Sequence, residues 1–116
     1  MTEPIKVAEA FYAGMQSGDL SEAPLAADLQ YEGPLIPELQ GSDSVRRVLG
    51  GYLATLRKLE VVRHIADHDH VVTELAVQTA FADFRMLYIA RIEDDLIVEL
   101  RAFYDPRPFL EGMGEQ

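Results

Sequence analysis

The stretch Phe84-Arg85-Met86-Leu87-Tyr88-Ile89-Ala90-Arg91-Ile92, followed after Glu93-Asp94-Asp95 by Leu96-Ile97-Val98-Glu99-Leu100-Arg101-Ala102-Phe103-Tyr104-Asp105, decides the fold. Its alternation has the period of two that a pleated strand imposes. One face carries Met86, Tyr88, Ala90 and Ile92 beside Val98, Leu100, Ala102 and Tyr104. The other carries Arg85, Arg91, Glu99 and Arg101 among Leu87, Ile89, Ile97 and Phe103. The acidic connection is short, so the two runs are expected as neighbouring antiparallel strands.

Working outward, Val61 to Ala66 and Val71 to Phe81 read as two more strands joined around Asp67-His68-Asp69, and Leu29 to Gly33 as a brief early strand ended by Pro34 and Pro37. Three helices are expected before the meander. Ile5, Ala8, Phe11, Tyr12 and Met15 recur at helical spacing, with Thr2 as cap and Gly18 as stop. Asp19 and Glu22 have capping-box spacing, which predicts a short second helix through Ala26. Ser42 opens a third helix whose stripe runs Val45, Val48, Leu49, Tyr52, Leu53 and Leu56, closed by Arg57 and Lys58. Helices followed by a meander predict an α+β domain over residues 1–116, with a loose tail from Gly112.

The totals exclude several functions. With 116 residues a core forms without staples, and the absence of cysteine removes disulfides and thiol chemistry and fits the reducing cytoplasm. No apolar run is long enough to span a bilayer, and Met1 to Pro4 lacks the basic and apolar regions of a signal peptide. A formal charge of -10 repels nucleic acid and anionic membranes alike.

Phe11-Tyr12-Ala13-Gly14-Met15-Gln16-Ser17-Gly18-Asp19-Leu20, Tyr31-Glu32-Gly33-Pro34, Gly41 and Arg101 to Phe109 together resemble the nuclear transport factor 2-like superfamily, in its SnoaL-like and ketosteroid isomerase-like branch. That resemblance implies a cone-shaped roll: three N-terminal helices on a strongly curved, mostly antiparallel sheet, a pocket between them, and an outer sheet face that often pairs with a second subunit. It also implies where chemistry would sit. The carboxylate base of the isomerases corresponds to Gly33, and their helix tyrosine to Phe11, with Tyr12 about a hundred degrees out of phase. Their strand donor corresponds to Tyr88. The acid, base and arginine of the limonene epoxide hydrolases correspond to Leu75, Val77 and Ala102, while Tyr31 matches a water-holding tyrosine of that family. The inherited proton-transfer groups are therefore missing from these positions, because glycine and aliphatic side chains exchange no protons.

The pocket lining expected from strand and helix phase is Phe11, Met15, Tyr52 and Leu56 from the helices, with Tyr31, Leu75, Val77, Met86, Tyr88, Leu100 and Ala102 from the sheet. Such walls suit a small apolar or aromatic ligand oriented by tyrosine hydroxyls. The same residues also read as a filled core. Tyr88 and His64 are the candidate catalytic groups, the phase of His64 being open because Val61 and Val62 are both apolar. His68 and His70 fall at a turn, so neither metal nor cofactor is expected. Glu74, Gln78, Arg91, Glu99 and Arg101 on the outer face predict a homodimer. Three readings follow: a ligand-binding domain without assigned catalysis; an isomerase, polyketide cyclase or hydrolase for a small hydrophobic substrate; or a dimerisation module with a filled core.

Overall fold

Between the last two strands the chain reverses through Asp94 and Asp95, both at positive φ (51° and 63°), the two-residue geometry that matches the twist of a tight hairpin. The structure, a computed structural model, describes residues 3–36 and 38–114. The elements run α1 (Pro4–Ser17), β1 (Leu25–Glu32), β2 (Leu39–Gln40), α2 (Ser42–Leu53), β3 (Leu56–Asp67), β4 (His70–Thr79), β5 (Asp83–Glu93), β6 (Leu96–Phe103) and α3 (Arg107–Gly114). They form one six-stranded sheet in the order β2-β1-β6-β5-β4-β3. Every pairing is antiparallel except β1 with β6. The fold is α+β with a mixed sheet.

Four expectations are corrected here. The sheet is open, with β2 and β3 as free edges, and is not the strongly curved cone expected. The three helices are not all N-terminal: residues 19–24 form a turn, and the third helix follows β6. In the turn, Asp19 Oδ1 accepts from the Ser21 amide at 3.0 Å, an Asx geometry that competes with helix initiation. Arg46 on α2 then clamps the turn, donating to the carbonyls of Leu20 (2.9 Å) and Ala23 (3.0 Å). Beyond it, Pro24 feeds β1, four residues earlier than the brief strand expected. The tail is helical through Gly114, because Pro108 sits in the first turn of α3, where its missing amide costs nothing.

Helix α2 also ends earlier than its stripe implies. The Thr55 hydroxyl donates to the Tyr52 carbonyl (2.7 Å), the helix stops at Leu53, and Leu56, Arg57 and Lys58 belong to β3. Gly41 precedes this helix without a side-chain cap, and Ser42 is buried in its first turn. At α1, Gly18 stops the helix in the left-handed region (φ 79°), and Pro4 opens it; Thr2, expected as its cap, lies outside the described residues, as do Pro37 and the last two of the tail.

Two irregular registers decide which side chains face the helices. Arg91 pairs with Glu99 but Ile92 with Ile97, leaving Val98 as an extra residue and turning Ile97 inward to full burial, opposite to the face its parity implies. In β3, Val61 pairs with Leu75 and Arg63 with Glu74, so Val62 is the extra residue. His64, paired with Thr73, then shares the inner face. The core lies between that face and α1, where Phe11 is fully buried and meets Tyr12 (5.2 Å) and Tyr88 (5.8 Å) edge to face.

Replacing Phe11 with alanine is expected to cost about 3–5 kcal/mol of stability, read from the urea midpoint, because it leaves a hole where helix and sheet meet. An unchanged midpoint would contradict this docking of α1.

Candidate functional site

Strands β1 and β5 flank β6, and each sends one tyrosine across it. Tyr31 pairs with Leu100, Tyr88 pairs with Ala102, and over this central strand the two hydroxyls meet at 2.9 Å. The small Ala102 is part of why they reach each other. Gly33, the position that the resemblance gives to a catalytic base, leaves little room for a replacement: a Cβ there would stand 3.2 Å from the Ala102 Cβ and 3.8 Å from the Tyr31 hydroxyl.

Beside this pair lies a cavity of about 80 Å³, between the sheet's inner face, α2, α3 and the loop after β1. Of the eleven lining residues expected, seven stand at its wall: Met15, Tyr31, Tyr52, Leu56, Val77, Met86 and Tyr88. The other four, Phe11, Leu75, Leu100 and Ala102, are buried in the solid layer beneath α1 and do not reach it. Further wall residues come from Leu49 and Leu53 on α2, Ile36 after β1, Leu59 and Phe84 on the sheet, and Phe109 on α3. Phe84 has the parity of Met86 and Tyr88, so the alternation that found those would have found it. Phe109 carries no such signal, since it reaches the cavity only through the docking of α3.

The polar groups at the wall are hydroxyls. Two are committed to the backbone, Thr55 to the Tyr52 carbonyl (2.7 Å) and Thr79 to the Ala82 carbonyl (2.9 Å). Among the described residues no carboxylate or imidazole lines the cavity. Burial raises the pKa of Tyr88 well above the ordinary phenol value, and the adjacent Tyr31 hydroxyl raises it further. Tyr31 is raised too, by burial first, with the hydrogen bond from Tyr88 opposing it. Both stay protonated at neutral pH, which makes them donors and poor bases. One hydrogen serves their mutual bond, and either hydroxyl can supply it.

His64 points inward but away from that wall. Its Nδ1 lies 2.8 Å from the Thr73 hydroxyl, and its ring stacks on Tyr12 with centroids 6.0 Å apart. The Tyr12 hydroxyl is buried without a well-formed hydrogen bond in the described structure. Burial raises its pKa, and the nearby Thr73 hydroxyl opposes this only in part. His68 and His70 each bond the preceding aspartate, at 2.6 Å and 2.7 Å, in the β3–β4 turn. On the outer face, Glu74 bridges Arg63 and Arg85 at 3.0 Å each, Arg101 meets Glu32 at 2.7 Å, Arg91 lies 3.7 Å from Glu99, and Gln78 is exposed.

Helices covering one face of a mixed sheet, with a small hydroxyl-bearing cavity between, define a cystatin-like α+β protein. The chain belongs to the SnoaL-like domain family, whose profile matches residues 8–100. Among solved structures it is similar to a protein from Kribbella flavida DSM 17836 (TM-score 0.88, 18% identity, covering 95% of this chain and 93% of that one). It is also similar to a steroid delta-isomerase from Pseudomonas aeruginosa (0.79, 21%, 97% and 86%) and to an LEH-like epoxide hydrolase from M. tuberculosis (0.75, 23%, 97% and 90%). At these identities the likeness is one of fold. No curated protein matches the chain by sequence.

Raised tyrosine pKa values stabilise the fold below the unfolded phenol pKa near 10, and that contribution is lost as pH climbs through the folded values. Phenolate absorbance from Tyr12, Tyr31 and Tyr88 is therefore expected to appear together with loss of the far-ultraviolet dichroism signal. Gradual ionisation of all tyrosines in a folded protein would contradict their burial.

Proposed function

We propose that this domain binds a small apolar or aromatic molecule bearing a hydrogen-bond acceptor, held in the cavity and oriented by the Tyr31–Tyr88 pair. The observation that carries this reading is a largely apolar wall bearing tyrosine hydroxyls, of which those of Tyr31 and Tyr88 are bonded to each other. The space is below the roughly 300–1,000 Å³ of drug-sized sites, so the occupant is small unless the walls move. A carbonyl or ether oxygen suits the donor.

A catalytic reading, as an isomerase, cyclase or hydrolase, draws support from the kinship with the named isomerase and epoxide hydrolase. In that case Tyr88 would steady a developing oxyanion, and the base would have to come from outside the described wall. His64, on the same row as Tyr88 but bonded to Thr73, is the nearest imidazole in the strand register. The fold itself is compatible with catalysis and with binding alone. A filled, purely structural core is the remaining reading.

We also propose that the outer sheet face pairs with a second copy, in a cytoplasmic setting suited to a chain with no cysteine. Ile65, Leu87 and Phe103 are 60%, 41% and 43% exposed there, among charges of both signs. An apolar patch of this kind favours association.

Two measurements test these readings. Aromatic ketones should quench the tyrosine fluorescence of the folded protein on binding, and Tyr88→Phe should weaken them by about 3- to 10-fold while sparing hydrocarbons of the same shape. No uptake of any small aromatic would leave the filled core as the answer, whereas turnover above buffer that Tyr88→Phe abolishes would favour an enzyme. For the assembly, sedimentation should give a dimer that Leu87→Glu converts to monomer; a monomer in both proteins would refute it.

A further inference from the structure

The third helix is seated by one buried side chain and one close backbone approach. Of its residues only Phe109 is buried, while Leu110 and Met113 are exposed. The Phe109 ring stands in a socket of other rings: Phe81 at 5.4 Å and 87°, Tyr52 at 5.9 Å and 50°, Phe84 at 6.5 Å and 78°. That ring is also part of the cavity wall.

Its place within the cavity is fixed by the sheet. Phe84 and Tyr88 are four residues apart on β5, which is about 13 Å at strand rise. Tyr88 of the hydroxyl pair and Phe84 of the Phe109 socket therefore stand well apart along the cavity wall. A molecule whose acceptor is held by Tyr31 and Tyr88 extends toward Phe109, and the length it can have is limited by that ring.

A second contact controls whether the ring can be there at all. Gly112, one turn beyond Phe109, lies so close to the Phe81 backbone that a Cβ would fall 2.1 Å from the Phe81 carbonyl oxygen. Any side chain at this position lifts the helix from its seat. Ahead of the helix, Asp105 accepts from both the Arg107 amide (3.0 Å) and its guanidinium (2.7 Å), which shapes the start of α3 without tying it to the sheet. An element with one buried side chain opens locally at low cost compared with the sheet below it.

We infer that α3 is a displaceable stopper and that Phe109 sets the upper length of the ligand, with acceptor-bearing molecules carrying an extended apolar tail as the class admitted when it withdraws. This rests on the binding reading above. The stopper acts by occupying space, so removing it lengthens the cavity without touching the donors Tyr31 and Tyr88.

The test is a length series: acetophenone and its para-propyl and para-hexyl derivatives, titrated by tyrosine fluorescence against wild type, Phe109→Ala, Gly112→Ala and, as a control on the exposed side of α3, Leu110→Ala. Circular dichroism first verifies that each variant retains the sheet. Phe109→Ala and Gly112→Ala are both expected to bind the hexyl compound roughly tenfold or more tighter than wild type, since each added buried methylene strengthens binding several-fold. Acetophenone itself should change less than about threefold in both, and Leu110→Ala should follow wild type throughout. Two variants at different positions with one phenotype guard against a local folding defect in either. If acetophenone binds all four proteins and the long compounds gain nothing in the two variants, the stopper is overturned and the binding reading stands. If no member binds any protein, the binding reading falls, and the length limit with it.

Discussion

The row His64, Thr73, Tyr88, Ala102 crosses four adjacent strands on the inner face, and the rest of the molecule depends on that alignment. Side chains in one row of a sheet stand close enough to interact directly or through the helix above. Here the row carries three polar side chains, His64, Thr73 and Tyr88, and α1 is laid across it with Phe11 and Tyr12 in ring contact with Tyr88. Slipping any one of these strands by a residue would turn its member of the row to solvent and expose its whole apolar set. Burial therefore enforces the register, and the register assembles the interior.

The inner face is covered unequally, and this produces the cavity. Under α1 the layer is solid, because the bulk of Phe11 and Tyr12 fits against Leu75, Leu100 and Ala102. Toward α2 and α3 the cover comes from shorter elements that meet the sheet at its end, and rings stacked on one another there do not fill every gap. Packing in protein interiors tolerates few voids, and this one is bordered by tyrosine hydroxyls on otherwise apolar walls.

What this interior can do follows from which protons it holds. Burial keeps Tyr31 and Tyr88 protonated, so the pair can donate a hydrogen bond and is a poor base. Gly33, packed against Ala102 and Tyr31, supplies no carboxylate beside them.

Local pattern alone determined much of this. Alternation from Phe84 to Asp105 placed Met86, Tyr88, Leu100 and Ala102 inward, helical spacing identified α1 to its stop at Gly18, and the family was legible in short motifs spread over nearly the whole chain. These succeed because strand pleat, helix pitch and glycine's left-handed backbone act over a few residues. Tertiary structure decided the remainder. Extra residues at Val62 and Val98 shift parity only through pairing with a neighbouring strand, so Ile97 turned inward against its expected face and the direction of His64 stayed open. Residues 19–24 lost their helix to an Asx turn and a clamp from Arg46, a partner far along the chain. Which apolar residues border empty space, and which lie in solid core, depends on how well helices fill the volume above the sheet, and no local window contains that volume.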